Sequence, residues 1–385
     1  DYDVDGVTSS HLFLTALRRV GAKVDVVIPH RIQDGYGLSL HLLQQAKEDG
    51  VDTILTCDNG IAAIDEIAWA KAQKMTVLVT DHHAVPFEEH EGRRTEKKSL
   101  ADAVVNPHQQ DCGYPYKELC GAGVAWNVIR VLYENYDMDK REAEDLLDFV
   151  AMATVCDVMS LTGENRILVK EGLKRIRHTK NIGLQALMQA CNVQPENISA
   201  YHFGYVLGPC VNATGRLDTA RHALRLFETG QETEAEEIAR DLVDLNQERK
   251  ELTLQGVEMA KKLCEEGGYE KDPVLVLFLP DVHESIAGLI AGRIREMYNR
   301  PVFVLTRGEE GVKGSGRSTE NYSMYENMCG CAELFTKFGG HPMAAGLSLP
   351  EENVEKFRRK INENCPLTVE EVCPDIHIDM AMPVG

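Results

Sequence analysis

Three stretches carry acids and imidazoles at spacings that can do chemistry. Asp1-Tyr2-Asp3-Val4-Asp5-Gly6 sets three acids at alternate positions ahead of Thr8-Ser9-Ser10. Cys57-Asp58-Asn59-Gly60 puts an acid before a turn, and Thr80-Asp81-His82-His83 puts one before two adjacent histidines. Carboxylates this close repel unless a cation lies between them. Hard divalent cations favour oxygen donors, and imidazole extends the set toward transition ions. A mixed oxygen and nitrogen site suits Mn2+ or Mg2+ better than structural zinc, which would be richer in Cys and His. A fourth acid, Asp157, follows the mainly apolar run 146–156. A carboxylate buried there without a partner would be costly, and a cation would compensate it.

No one of these residues decides the matter. A His-His pair serves a core or a surface as readily, Asp58 is a common cap, and Asp157 can end an exposed helix. Co-location carries the argument. Residues 76–79 read as a buried strand that stops at the Asp81 triplet, residues 51–56 as a strand that stops at Asp58, and residues 23–28 as another. Between them lie helical patterns at 11–20, capped by Ser9 or Ser10, at 39–49 and at 61–73. The alternation predicts an α/β doubly wound parallel sheet. Crossovers of one hand place Asp58 and Asp81-His82-His83 at one sheet edge. Ligands of open parallel sheets bind outside the carboxyl ends of the strands.

Further along, residues 86–100 are polar, with Arg93, Arg94, Lys97 and Lys98, and read as a mobile surface loop. A short strand follows at 103–105. Gly121-Ala122-Gly123-Val124 opens a helix through Tyr133 but lacks the spacing of a dinucleotide fingerprint. Helical patterns cover 141–156 and 165–191, residues 208–217 read as a loop around Arg216, and 232–264 as one long spacer helix. A second α/β domain starts near Asp272, with strands at 274–279 and 301–305, helices at 283–298 and 328–338, and a closing strand and helix. Its Gly314-Ser315-Gly316-Arg317-Ser318 and Gly339-Gly340-His341 offer backbone N–H groups, a serine, an arginine and a histidine without a nearby acid. That is anion-recognition chemistry.

A length of 385 residues fits two or three domains, and 26% charged with 43% hydrophobic residues is an ordinary globular balance. The formal charge of −20 counts against a nucleic-acid binder. Screening confines surface fields to about 8–10 Å, however, so a basic groove can coexist with an acidic exterior. No apolar run approaches the ~20 residues that span a bilayer, which argues against a membrane role. The eleven cysteines lack paired CxxC spacing and read as reduced thiols of a cytoplasmic protein. The start at Asp1 and the alternating Asp375-Ile376-His377-Ile378-Asp379 suggest an internal piece of a longer protein.

The chain resembles the DHH phosphoesterases, and within them the RecJ single-stranded-DNA-specific exonucleases. The motifs above carry the resemblance, together with Ala153-Thr154-Val155-Cys156-Asp157-Val158, Asn212-Ala213-Thr214-Gly215-Arg216 and Asn246-Gln247-Glu248-Arg249-Lys250, all in the family's order. The resemblance implies a DHH phosphoesterase domain at 1–164, a helical connector with the spacer helix at 165–270, a smaller α/β DHH-associated substrate-binding domain at 271–368, and the start of an OB-fold at 369–385, where the piece is truncated. It implies that Asp1, Asp3, Asp58, His82 and Asp157 ligate two Mn2+ or Mg2+ ions, with Asp58 bridging. His83 would face the substrate and Asp81 would orient the histidines. Arg216, Ser315, Arg317 and His341 would contact the phosphate backbone. The implied activity is 5′ to 3′ hydrolysis of single-stranded DNA to mononucleotides, in repair and recombination. A single-stranded-DNA-binding protein and a helicase are the implied further partners. Two rivals remain: a phosphodiesterase of the same superfamily acting on short oligonucleotides or cyclic dinucleotides, and an inactive nucleic-acid-binding module.

Overall fold

The computed structural model describes residues 1–368 apart from 32–33, 36, 91–92 and 309–310, together with 371–372 and 380. The chain divides into two compact units, Asp1–Gln247 and Glu248–Gly385.

The first unit opens on α1 (Val4–Arg19). This helix starts well before the expected residue 11, because the acid motif supplies its own cap: the Asp3 carboxylate accepts from the Gly6 N–H at 3.0 Å. Ser9 and Ser10 are buried within the helix instead of capping it. Residues 23–28 take no regular structure; Val26 and Ile28 pack on the core, but the segment joins no ladder among the described residues. The expected strand is therefore absent there. α2 (Leu40–Glu48, capped by Ser39), β1 (Thr53–Cys57), α3 (Ile64–Ala72) and β2 (Thr76–Thr80) follow as the sequence predicts. Where a loop was expected, β3 (Phe87–His90) and β4 (Arg93–Glu96) pair as an antiparallel hairpin. Phe87 is half exposed and Glu88 and Glu89 are exposed, so this ribbon lacks the apolar alternation by which a strand is read. β5 (Ala103–Val105) completes a parallel sheet of order β1-β2-β5.

Each sheet face meets its own core. Ile54, Val77 and Val79 pack with Leu43, Ile67, Ala70 and Met75 of the α2–α3 side. Leu55 and Cys57 pack on a larger cluster on the other face. Packing on both faces fits the apolar pattern of β2, where Val77, Val79 and Thr80 are buried; β1 is half-buried, with Thr53 exposed.

The larger core is helical: α4 (Gly121–Asn135), α5 (Arg141–Glu144), α6 (Leu147–Cys156), α7 (Gly163–Arg175), α8 (Ile182–Ala190), α9 (Ala200–His202), α10 (Gly208–Leu217) and α11 (Ala220–Glu228). The run expected as one helix at 141–156 breaks at Asp145-Leu146 into α5 and α6. A π-helical turn, Phe203–Leu207, joins α9 to α10. α10 replaces the loop expected at 208–217. Pro209 fits a first helical turn, and the small residues serve close packing rather than turning. A Cβ on Gly215 would run into the Tyr2 carbonyl, and one on Gly208 into the Cys156 sulfur. α12 (Glu232–Gly267) is the predicted long helix, and the division between the units falls within it.

The second unit holds β6 (Leu275–Phe278), α13 (Ala287–Tyr298), β7 (Val302–Gly308), β8 (Gly311–Arg317), α14 (Met324–Cys329), β9 (Lys337–His341), β10 (Ala344–Leu349) and α15 (Val354–Glu363). Its sheet runs β6-β7-β8-β10-β9, with only the β6–β7 pair parallel. The helix expected at 328–338 stops at Cys329, before Gly330, and its second half becomes a short 3-10 turn and β9. The expected strand at 375–379 and the OB-fold it would begin lie outside the described residues. Among the described residues no helix is long and apolar enough to cross a membrane.

Candidate metal centre

Register explains why the first unit's motifs meet. Cys57 pairs with Thr80, and Thr80 with Val105, so all three strands end level. The next residues, Asp58, Asp81 and Asn106, therefore emerge from one edge. Asp58 takes a left-handed conformation, φ +59°, which Asp tolerates better than most residues. Gly60 at φ +107° closes the turn against Thr56, whose Oγ1 donates to the Asn59 carbonyl at 2.8 Å.

The donors fall into three overlapping groups, in each of which the ligand atoms lie within 4.8 Å of one another. They are Asp1, Asp3 and Asp58; Asp58, His82 and His83; and Asp5, His82 and Asp157. All five expected metal ligands are thus gathered. Asp157 caps the C-terminus of α6, which delivers it from the helical side. His82 Nε2 stands 3.1 Å from Asp58 Oδ1, 3.6 Å from Asp157 Oδ2 and 3.7 Å from Asp5 Oδ2. It nevertheless meets hydrogen-bond geometry with none of them and is a buried nitrogen without a partner. Burial also holds this imidazole below its usual pKa, which favours the neutral, metal-binding form.

The acids are held against their own repulsion. Burial, then the charges of Asp5 and Asp3, push the Asp58 carboxyl well above the usual range. The same causes raise Asp157 to about 8. Burial raises Asp5 as well. Buried acids facing an unpartnered imidazole are the arrangement a divalent cation resolves, and the donor set fits Mn2+ or Mg2+.

Asp81 behaves differently. Its Oδ2 accepts from Ile61 N–H at 2.9 Å, and its Oδ1 from His82 N–H at 2.7 Å and His83 N–H at 3.0 Å. Oδ1 also lies 2.7 Å from His83 Nδ1. Burial pushes Asp81 up, but the hydrogen bonds with His83 and Ile61 outweigh it, and the carboxyl ends below its usual range. Burial lowers His83, the Asp81 hydrogen bond and charge raise it, and the net shift is upward. Asp81 therefore fixes His83 and its tautomer and lies outside the three donor groups.

Two residues escaped the sequence reading. Asp5 was seen only as the third acid of the motif. Its carboxylate accepts from the N–H groups of Gly121 at 2.6 Å and Ala122 at 2.8 Å, which locks α1 to the N-terminus of α4. Gly121 must be glycine, since a Cβ there would stand 2.6 Å from Asp58 Cβ. The signal was present in the glycine that opens α4, Gly121, which serves this close approach. Asn106, fully buried, donates from Nδ2 to the His83 carbonyl at 2.9 Å and holds that loop.

Arg216 sits half-buried on α10 beside Gly215, which touches the Tyr2 backbone, while Asn212 Oδ1 accepts from Val4 N–H at 3.1 Å. In the second unit, Arg317 and His341 both pair with Ala344, and Ser315 and Gly339 both pair with Gly346. Directly opposed residues share a face, so Ser315, Arg317 and His341 line one side of the sheet around two glycines.

A parallel sheet that gathers acids and an unpartnered histidine at its carboxyl edge defines a divalent-metal protein. The DHH family N-terminal domain matches residues 1–154 and the DHHA1 domain residues 271–365. A single-stranded-DNA-specific exonuclease RecJ of Haemophilus influenzae is 37% identical over 94% of this chain. A crystal structure of exonuclease RecJ bound to manganese superposes with a TM-score of 0.80 at 32% identity, covering 94% of this chain and 88% of that one. A structure of RecJ in complex with Mg2+ from Thermus thermophilus gives 0.72 at 29%, covering 94% and 48%. The chain belongs to the DHH family, in the group of the RecJ exonucleases. It spans about 64% of the length of the Haemophilus relative.

Proposed function

We propose that this chain is the core of a metal-dependent 5′ to 3′ exonuclease that hydrolyses single-stranded DNA to mononucleotides in repair and recombination. The observation that carries the reading is the unpartnered His82 Nε2 within 3.7 Å of three buried or half-buried carboxylates at the sheet edge. Asp1, Asp3, Asp58, His82 and Asp157 would hold two ions, Asp58 being common to two of the donor groups. When bound, such ions activate water and stabilise the leaving oxygen. His83, with Nδ1 committed to Asp81, addresses the substrate phosphate through Nε2 and holds a proton there. Asp5 and Asn106 keep the cluster's loops in place. Arg216 holds the strand near the cluster, and Ser315, Arg317 and His341 supply a phosphate-backbone seat in the second unit. The working domains are 1–164, 165–270, 271–368 and 369–385, and the setting is cytoplasmic. A single-stranded-DNA-binding protein and a helicase are the partners that such a substrate implies.

The test incubates the chain with Mn2+ and four substrates: a 5′-labelled single strand, a 3′-labelled single strand, a duplex and a dinucleotide. Immediate release of labelled mononucleotide from the 5′ end, with the duplex spared, is expected. Cleavage of the dinucleotide alone would move the assignment to short-oligonucleotide hydrolysis. Binding of the strand without cleavage would make the chain a binding module.

A further inference from the structure

Val158 follows Asp157 directly, is 88% exposed, and has φ +58°. A β-branched residue in the left-handed region is a true outlier, and such strain clusters at functional sites. The loop around it is well held. Val158 N–H donates to the Val155 carbonyl and Met159 N–H to the Thr154 carbonyl, both at 3.2 Å, and Asn165 Nδ2 donates to the Ser160 carbonyl at 3.1 Å. A tied loop thus keeps a strained apolar side chain in water, one residue from the metal cluster.

Two tyrosines stand on the segment pressed against the same helix end. Cys156 Sγ donates to the Phe203 carbonyl at 3.3 Å, and a Cβ on Gly204 would lie 3.5 Å from Val155 Cγ1. Phe203 and Leu207 point into the core, whereas Tyr201 and Tyr205 are 63% and 72% exposed. Their rings stack on each other at 5.1 Å with an interplanar angle of 26°. Single exposed apolar residues are ordinary. A stacked aromatic pair and a strained valine thus stand on two segments that both meet the last turn of α6, where Asp157 emerges.

We propose that Val158, Tyr201 and Tyr205 form a shelf that receives the nucleobases flanking the scissile phosphate of a single strand. This rests on the exonuclease reading and adds how the strand's bases are held. Every base has a π face, so the grip tolerates sequence. A duplex keeps its bases stacked on one another and cannot offer them. The three are positioning residues, since the cleaved bond is addressed by the cluster and His83.

The test compares wild type, a Tyr201→Ala/Tyr205→Ala double variant, the matching Tyr→Phe variant and Val158→Gly. Cleavage with Mn2+ and binding of a fluorescent strand are measured on oligodeoxythymidylate and on a same-length strand of abasic residues. The double variant should raise KM and Kd on the normal strand by about tenfold, leave kcat unchanged, and match wild type on the abasic strand. The Tyr→Phe variant should restore wild-type values. Val158→Gly should raise KM while keeping or raising Tm, because glycine takes positive φ without strain. Wild-type KM and Kd in the double variant, or an equal rise on the abasic strand, would overturn the shelf. If wild type cleaves nothing, the exonuclease reading fails, and Kd on the two strands decides the shelf alone.

Discussion

Asp58 is buried among other acids and held well above its usual pKa by burial and by the charges of Asp5 and Asp3. Removing its charge should relieve the metal-free protein. Asp58→Asn is expected to raise Tm in chelator, to abolish the rise in Tm on adding Mn2+, and to abolish cleavage. Retention of a Mn2+-dependent shift in that variant would remove Asp58 from the site. A second buried acid, Asp148, accepts from Thr179 Oγ1 at 2.6 Å and is raised by burial to about 6. Nearby His11, whose ring centroid is 4.4 Å from that of Phe149, is lowered by burial to about 4. The signs oppose. The stability linked to Asp148 is full below its unfolded pKa and lost as pH rises through 6, while that linked to His11 is full above 6.5 and lost as pH falls through 4. Each is worth about 3 kcal/mol at 1.36 kcal/mol per pH unit. Asp148→Asn should therefore leave the His11 effect unopposed. Relative to wild type, its Tm should climb with pH between 4 and 6.5, read by thermal melts across that range.

At the scale of elements, the parallel sheet was legible because β1 and β2 are apolar, pack against a core on each face and stop at chemically distinctive residues. Asp58 and Asp81-His82-His83 could be placed on one edge from that alone. α10 was not legible: its glycines look like turn residues, and only the packed structure gives them their task. Asp5 was missed for a related reason, since its partners are backbone N–H groups that Gly121 and Ala122 present only after α4 has docked. The hairpin β3–β4 and the 23–28 segment exchange their expected roles because ladder partners, not apolar pattern, decide them. Gly215→Ala tests the tight seam between α10 and the acid motif. Its Cβ would meet the Tyr2 carbonyl, so a loss of about 1–3 kcal/mol is expected. Denaturant melts check this, and weakened Mn2+ binding should accompany it.

At the scale of the whole molecule, the proposed binding of a polyanion has to coexist with a net charge of −20. Local placement would reconcile the two: Ser315, Arg317 and His341 share one sheet face with Gly339 and Gly346, which add no side-chain bulk there. Arg317→Ala should weaken single-strand binding and lower the salt dependence, the slope of log K against log salt falling by roughly 0.7, as for one phosphate contact on a single strand. A slope equal to wild type would remove Arg317 from the phosphate seat.

The seam between Val4 and Asn212 joins residues 208 positions apart in the chain. Synthesis proceeds at about 5–20 residues per second, so roughly 10–40 s separate the ribosome's release of the two sides. During that interval the first acids have no α10 to lean on, and the larger core still lacks residues as late as Leu242. The small α2–α3 core, by contrast, draws among the described residues on 38–104 and can form from neighbours already made. The order of translation therefore acts as a timer. A growing chain displays the scaffold of its sheet early, and its metal-gathering edge closes only when the unit is nearly complete.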